Sequence, residues 1–151
     1  MRRANGRRPA LMTVTAAIAA LAVGCGGDDG GPSEKEFRSQ ADAVCKEHTE
    51  TIEKAAGMLL AGGKLPGPRE FGRLAQGTII PEVRMAAREL RAIEAPEDRA
   101  DDYKAYLADL DSTLRRVQAD PSLITNPASF RDLNRQAADL GLSQDCNVGP
   151  G

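Results

Sequence analysis

Residues 33–59, SEKEFRSQADAVCKEHTETIEKAAGML, contain the pattern that decides the fold. Ser33 and Glu36 form a capping-box pair, in which each side chain can satisfy a backbone N–H at the start of a helix. Gly62 and Gly63 then mark the end of this helix. Residues spaced three and four apart predict one buried face: Phe37, Ala41, Val44, Cys45, His48, Ile52, Ala55 and Leu59.

The same spacing returns in three later segments, and no segment alternates with the two-residue period of a strand. Four amphipathic helices joined by short loops predict an all-α fold, an antiparallel four-helix bundle. Pro81 interrupts the second segment, so this segment is either one kinked helix or two helices. The second, third and fourth predicted helices begin near Pro68, about Glu97 and near Pro127. Asn126 is the predicted N-cap of the fourth helix. This helix is expected to end at Gly141, with Leu142 as the hydrophobic partner of that cap. The predicted buried face of the second is Phe71, Leu74, Ala75, Ile79, Val83, Ala86, Leu90 and Ile93.

The N-terminus has the pattern of a lipoprotein export signal. Four arginines within residues 2–8 precede an uncharged stretch, residues 9–24, that is short for a membrane span of about 20 apolar residues. The run Leu21-Ala22-Val23-Gly24-Cys25 resembles a lipobox, which predicts cleavage before Cys25 and an acyl chain such as palmitate on it. The alternatives are an uncleaved anchor helix and an ordinary signal with an unrelated cysteine. The predicted domains are a signal peptide (1–24), the lipidated cysteine with a flexible Gly-rich tether (25–32), the helical bundle (33–146) and a disordered tail (147–151).

The chain has three cysteines, an odd number that needs an explanation in an exported protein. Lipidation of Cys25 leaves Cys45 and Cys146, and an oxidising compartment favours a disulfide between them. The alternative is two separate buried thiols.

Charge argues against one class of partner. Removal of residues 1–24 takes four arginines and no acid, so the net charge changes from −2 to −6. An acidic surface repels phosphate backbones, so no nucleic-acid partner is expected. The membrane contact is expected to depend on the acyl chain.

Three short motifs resemble those of small predicted lipoproteins of high-GC actinobacteria. They are Ala41-Asp42-Ala43-Val44-Cys45, Leu90-Arg91-Ala92-Ile93-Glu94-Ala95-Pro96 leading to Tyr103, and Leu140-Gly141-Leu142 before Cys146. The resemblance covers most of the chain after the signal. It implies a helical domain of unknown function at a lipid-anchored, extracytoplasmic location, and it transfers no catalytic residue.

The residues that carry chemistry are few. Asp42, Cys45 and His48 share one helix face and resemble a metal or thiol site, but the disulfide competes for Cys45 and the chain has one histidine. Tyr103 and Tyr106 are three residues apart and form a candidate ligand groove, with core packing as the alternative.

No catalytic motif, metal centre or cofactor site is expected from the sequence. The sequence therefore predicts a non-enzymatic cell-envelope lipoprotein, anchored to the membrane by lipid, that contacts an envelope protein or polymer. The alternative is an extracytoplasmic module that binds a small molecule or a metal.

Overall fold

The computed structural model describes residues 31–61, 63 and 66–149, and within these ranges every regular element is helical. The all-α prediction is confirmed as a helical bundle. The second predicted helix contains two α-helices that follow one another without a loop. The five α-helices are α1 (Glu34–Leu60), α2 (Pro68–Leu74), α3 (Ile80–Leu90), α4 (Ala100–Ala119) and α5 (Arg131–Asp139).

The capping box at the start of α1 forms as predicted. The Glu36 backbone N–H donates to Ser33 Oγ over 3.3 Å, and the Ser33 backbone N–H donates to Glu36 Oε2 over 3.0 Å. The Ser33 hydroxyl also donates to Glu36 Oε2, over 2.7 Å. This bond first, and then the bond from the Ser33 backbone N–H, hold the pKa of Glu36 below its usual range. The local sequence therefore fixes where α1 begins.

Pro81 is accommodated by a π-helical turn, Ala75–Ile79, between α2 and α3. The Ile80 N–H donates to the carbonyl of Ala75, five residues earlier. A proline in a regular α-helix crowds the carbonyl four residues before it, and a widened turn avoids that clash. The chain thus stays helical through Pro81. The altered turn also changes the helical phase, and Ile80 becomes buried with Val117 and Phe130.

The last predicted helix starts later than expected. The Asn126 side chain accepts from the Ala128 N–H over 3.1 Å, but it caps a short 3₁₀ turn, Pro127–Ser129. The α-helix begins only at Arg131. Phe130, the residue before it, has φ −117° and ψ −7°, and its ring lies in the core. A second 3₁₀ turn, Glu97–Arg99, precedes α4 in the same way.

The end of α5 agrees with the prediction. Gly141 adopts φ +72°, its N–H donates to the Ala138 carbonyl over 2.9 Å, and the Leu142 N–H donates to the Ala137 carbonyl over 3.0 Å. This pair of bonds is a Schellman motif, which requires the left-handed conformation that glycine adopts without steric cost. Leu142 is buried beside it.

In the bundle, α1 packs on α3, α3 on α4 and α4 on α5. Arg84 of α3 bonds Gln118 of α4, and Arg91 bonds Asp111, so these two helices run in opposite directions. The central core joins all these helices. Its largest fully buried side chains include Phe37, Leu90, Tyr106 and Leu110.

A disulfide closes the bundle. Cys45 of α1 and Cys146 have sulfur atoms 2.05 Å apart, and the short turn Gln144–Cys146 packs directly on α1. Residues 147–149, assigned above to a disordered tail, are held to α5 because Asn134 exchanges two hydrogen bonds with the Val148 backbone, of 2.9 and 3.1 Å. The helical domain therefore extends to at least Gly149.

The predicted signal peptide, Cys25 and residues 26–30 of the tether lie outside the described residues, as do residues 150–151. None of the helices in the described ranges is both long and apolar enough to span a membrane.

Candidate ligand-binding groove

A groove of about 490 Å³ lies between α1, the α2–α3 segment and the chain around the disulfide. Its volume falls within the range of about 300–1,000 Å³ that is typical of small-molecule sites. Most of the surface is apolar, with a few polar groups. The lining residues are Cys45, His48, Thr49, Ile52, Glu53, Ala56, Phe71, Leu74, Ile79, Val83, Ala86, Leu90, Tyr106, Leu110, Ile124, Thr125, Asp145, Cys146, Asn147, Val148 and Gly149.

The groove explains why part of the predicted core is not buried. Phe71, Leu74, Ile79 and Val83 were all expected to be core residues, yet each is partly accessible because it faces the groove. Phe71 is 37% exposed. The helical spacing correctly placed these side chains on one face, but that face borders a space instead of a packed neighbour.

Tyr106 reaches the groove from α4 and is 1% exposed. No described residue forms a hydrogen bond with the hydroxyl of Tyr106. Burial raises the pKa of Tyr106 to about 12, so the hydroxyl keeps its proton at neutral pH. Tyr106 thus places a neutral, hydroxyl-bearing side chain at the border of the groove.

Tyr103 lies next to Tyr106, with ring centroids 6.3 Å apart, but it does not line the groove. Its hydroxyl donates to the Leu90 carbonyl over 2.7 Å, and its ring meets Phe37 edge-on at 4.8 Å. Burial first, and then the neighbouring Tyr106, raise the pKa of Tyr103. The structure therefore brings the two predicted residues together, with Tyr106 at the groove and Tyr103 in the core.

His48 is buried in the groove wall against α3. Its Nδ1 lies 2.7 Å from Glu82 Oε2, and its Nε2 lies 3.4 Å from Glu89 Oε1 without hydrogen-bond geometry. No pattern in the sequence identifies either glutamate as a partner of His48. Their seven-residue spacing places both on one face of α3, but nothing local in the sequence pairs α3 with His48.

The face shared by Asp42, Cys45 and His48 does not form the thiol or metal site considered above. Cys45 is in the disulfide, and Asp42 accepts the Ser143 backbone N–H over 2.7 Å. Within the described part of the chain, no group of three or more His, Cys, Asp or Glu side chains has the arrangement of a metal centre.

Two carboxylates, Glu53 and Asp145, stand on the same side of the groove. Thr49 of α1 donates its hydroxyl to the Asp145 carbonyl over 2.9 Å, which holds residue 145 against this helix. Glu53 is one turn further along the same face of α1. Neither carboxylate forms an ion pair with a described residue, and the described residues that line the groove include no lysine or arginine.

Comparisons with protein-family models, with curated proteins and with solved structures found no match to this chain. Its function is therefore argued from the groove itself.

Proposed function

We propose that this protein is a non-enzymatic, lipid-anchored binding module of the cell envelope, and that it binds a small, largely apolar molecule in the groove. The observation that carries this proposal is a predominantly apolar groove bordered by Tyr106, whose hydroxyl keeps its proton at neutral pH. The location rests on the arginine-rich start and the lipobox-like run ending at Cys25.

The energetics favour a ligand with an apolar body and one hydrogen-bond acceptor. Covering apolar surface is worth roughly 25 cal/mol per Å². The protonated hydroxyl of Tyr106 is a hydrogen-bond donor, and a bond from it to a ligand acceptor is worth about 0.5–1.5 kcal/mol. Both contributions arise only when the groove is filled.

The cysteines and the histidine that line the groove are already engaged. Cys45 and Cys146 are oxidised together, and the Nδ1 of His48 is bonded to Glu82. This engagement supports binding over catalysis, because the described residues place no free thiol or free histidine base beside the groove.

The test uses the full chain with Cys25→Ser, made in an oxidising compartment, and the neutral fluorophore N-phenyl-1-naphthylamine. We expect saturable fluorescence enhancement that Ala56→Trp reduces at least about tenfold in affinity, because Ala56 lines the groove and the indole would fill it. Ala43→Trp is the matched control, since Ala43 lies on α1 outside the groove and is exposed. Absence of saturable binding, or equal loss in both variants, would refute the proposal.

A second candidate function is contact with an envelope protein or polymer, and the end of α1 favours it. Met58 and Leu60 are 67% and 51% exposed and do not line the groove. Co-sedimentation with cell-envelope fragments of the source organism tests this role. Met58→Ser with Leu60→Ser should reduce co-sedimentation while leaving fluorophore binding intact. Unchanged co-sedimentation would remove the candidate.

A further inference from the structure

We infer that the groove selects cationic amphiphiles, that is, molecules with an apolar body and a single amine or quaternary ammonium group. This inference rests on the proposed function, because it names the chemical class that the same groove would accept. It follows from the charges that border the groove and from where they lie.

The charged groups at the rim are acidic. Asp145 is half-buried and Glu53 is exposed, and both belong to the side of the groove where the Thr49–Asp145 hydrogen bond joins the chain to α1. Neither carboxylate has a cationic partner among the described residues. A cationic group placed between them would therefore gain two attractive interactions without displacing a protein ion pair.

The other titratable groups that line the groove do not reverse the negative charge of its rim. Among the described residues that line the groove, His48 is the one basic side chain, and it faces two carboxylates of α3, Glu82 at 2.7 Å and Glu89 at 3.4 Å. Tyr106 is neutral, because burial raises its pKa to about 12. An anionic head group would thus meet carboxylates without a compensating lysine or arginine from the described lining of the groove.

The arrangement also orients the ligand. Glu53 is solvent-exposed, whereas Ala86, Leu90 and Leu110 on the inner wall are buried. The charged head therefore lies at the rim and keeps part of its hydration, while the apolar body enters the groove. Exposed ion pairs contribute little each, so the preference for a cation over a neutral head should be about tenfold for two carboxylates.

The experiment compares three ligands that share one ten-carbon chain: n-decylamine, n-decanol and n-decanoate. Each displaces the neutral fluorophore from the full Cys25→Ser chain, below the concentration at which the ligand aggregates. We expect the amine to bind about tenfold more tightly than the alcohol and the alcohol more tightly than the carboxylate. Added salt should reduce the difference between amine and alcohol, since ions screen exposed charges.

A double variant tests whether Glu53 and Asp145 cause the preference for the amine. Glu53→Gln with Asp145→Asn should bring amine and alcohol to equal affinity while the alcohol binds as before. The matched control is Glu47→Gln with Asp139→Asn, which makes the same change in net charge at exposed positions outside the groove and should keep the order.

The outcomes distinguish the binding of a ligand in the groove from the selectivity for cationic ligands. Saturable fluorophore binding with equal displacement by all three ligands would overturn the selectivity and leave the proposed function standing. An amine preference that survives in the double variant, or that salt does not change, would overturn the role of these two carboxylates. Failure of the fluorophore and of all three ligands to bind would refute the proposed function and, with it, this inference.

Discussion

Gly149 and Gly57 show how differently two glycines of one chain respond to the same added methyl group. Gly149 has φ +82°, and a Cβ built on it would lie 2.2 Å from the Phe130 ring. Gly57 lies within α1, and a Cβ there would meet nothing within 4 Å. The first glycine is required by conformation and by packing, and the second is required by neither.

We predict that Gly149→Ala destabilises the fold and that Gly57→Ala stabilises it. The left-handed conformation alone costs an L-residue about 1–2 kcal/mol, and the contact with Phe130 adds to that cost. Alanine inside a helix gains roughly 0.5–1 kcal/mol over glycine. Urea unfolding of both variants measures the two effects. A neutral Gly149→Ala would mean that residues 147–149 do not hold the folded chain in the way described.

Tyr103 and Tyr106 are the only tyrosines in the chain, so their ionisation can be followed directly. A group whose pKa is raised by folding holds its proton more tightly in the folded state. Its contribution to stability is complete below the unfolded pKa of about 10 and is lost as the pH rises through the folded value. For Tyr106 the folded pKa is about 12.

We therefore predict that the free energy of unfolding falls between about pH 10 and 12, and that Tyr106→Phe makes this fall shallower. At neutral pH, Tyr103→Phe should cost about 1 kcal/mol, because it removes the hydrogen bond to the Leu90 carbonyl. Tyr106→Phe removes no such bond. Urea titrations across the pH series, with tyrosinate absorbance as the ionisation signal, provide the measurement. Tyrosines that ionise near pH 10 in the folded protein would contradict the burial of both rings.

At the scale of elements, the π-helical turn sets how α2 faces the groove. Ala75–Ile79 replaces a regular turn immediately before α3, which has Pro81 at its second position. Each residue advances an α-helix by about 100°, so one residue more or less in this turn changes which face α2 presents. In the observed phase, Phe71 and Leu74 line the groove.

Deletion of Gly77 should turn Phe71 and Leu74 away from the groove and weaken fluorophore binding by at least about tenfold. The helical content should stay close to that of the parent chain, because the central core of α1, α3, α4 and α5 does not include α2. Gly77→Ala is the control: it keeps the chain length, and its Cβ would meet nothing within 4 Å. Circular dichroism and fluorophore titration measure both properties. Undiminished binding by the deletion variant would show that the phase of α2 does not matter.

At the scale of the whole molecule, the disulfide joins residues 101 positions apart and also forms part of the groove wall. Both cysteines are buried, at 5% and 4% exposure, in the central core. Stability and ligand binding should therefore depend on the same bond.

We predict that Cys45→Ser with Cys146→Ser lowers the free energy of unfolding by about 2–5 kcal/mol, because the unfolded chain regains the freedom of a long loop. Fluorophore binding should weaken in the same variant, since residues 145–149 border the groove and are joined to α1 through this bridge. Cys25→Ser alone is the control and should change neither property. Urea unfolding and fluorophore titration under identical conditions provide the comparison, and equal stability of the two proteins would contradict the prediction.

The sequence by itself determined the features that depend on neighbours along the chain. Helical spacing predicted the all-α fold, Ser33 with Glu36 set the start of α1, and Gly141 set the end of α5. Counting cysteines predicted the bridge between Cys45 and Cys146. These features could be read because capping and amphipathic spacing act over three to five residues.

Only the tertiary structure determined that a groove forms and which residues line it. The sequence assigned Phe71 and Val83 to a packed core and could not place Glu82 beside His48, because these outcomes depend on the separation of helices that are distant along the chain. The position of Asp145 beside Thr49 likewise depends on the return of the chain to α1 after α5. Local patterns determine which face of a helix is apolar, whereas helix packing determines whether that face meets a neighbour or borders a cavity.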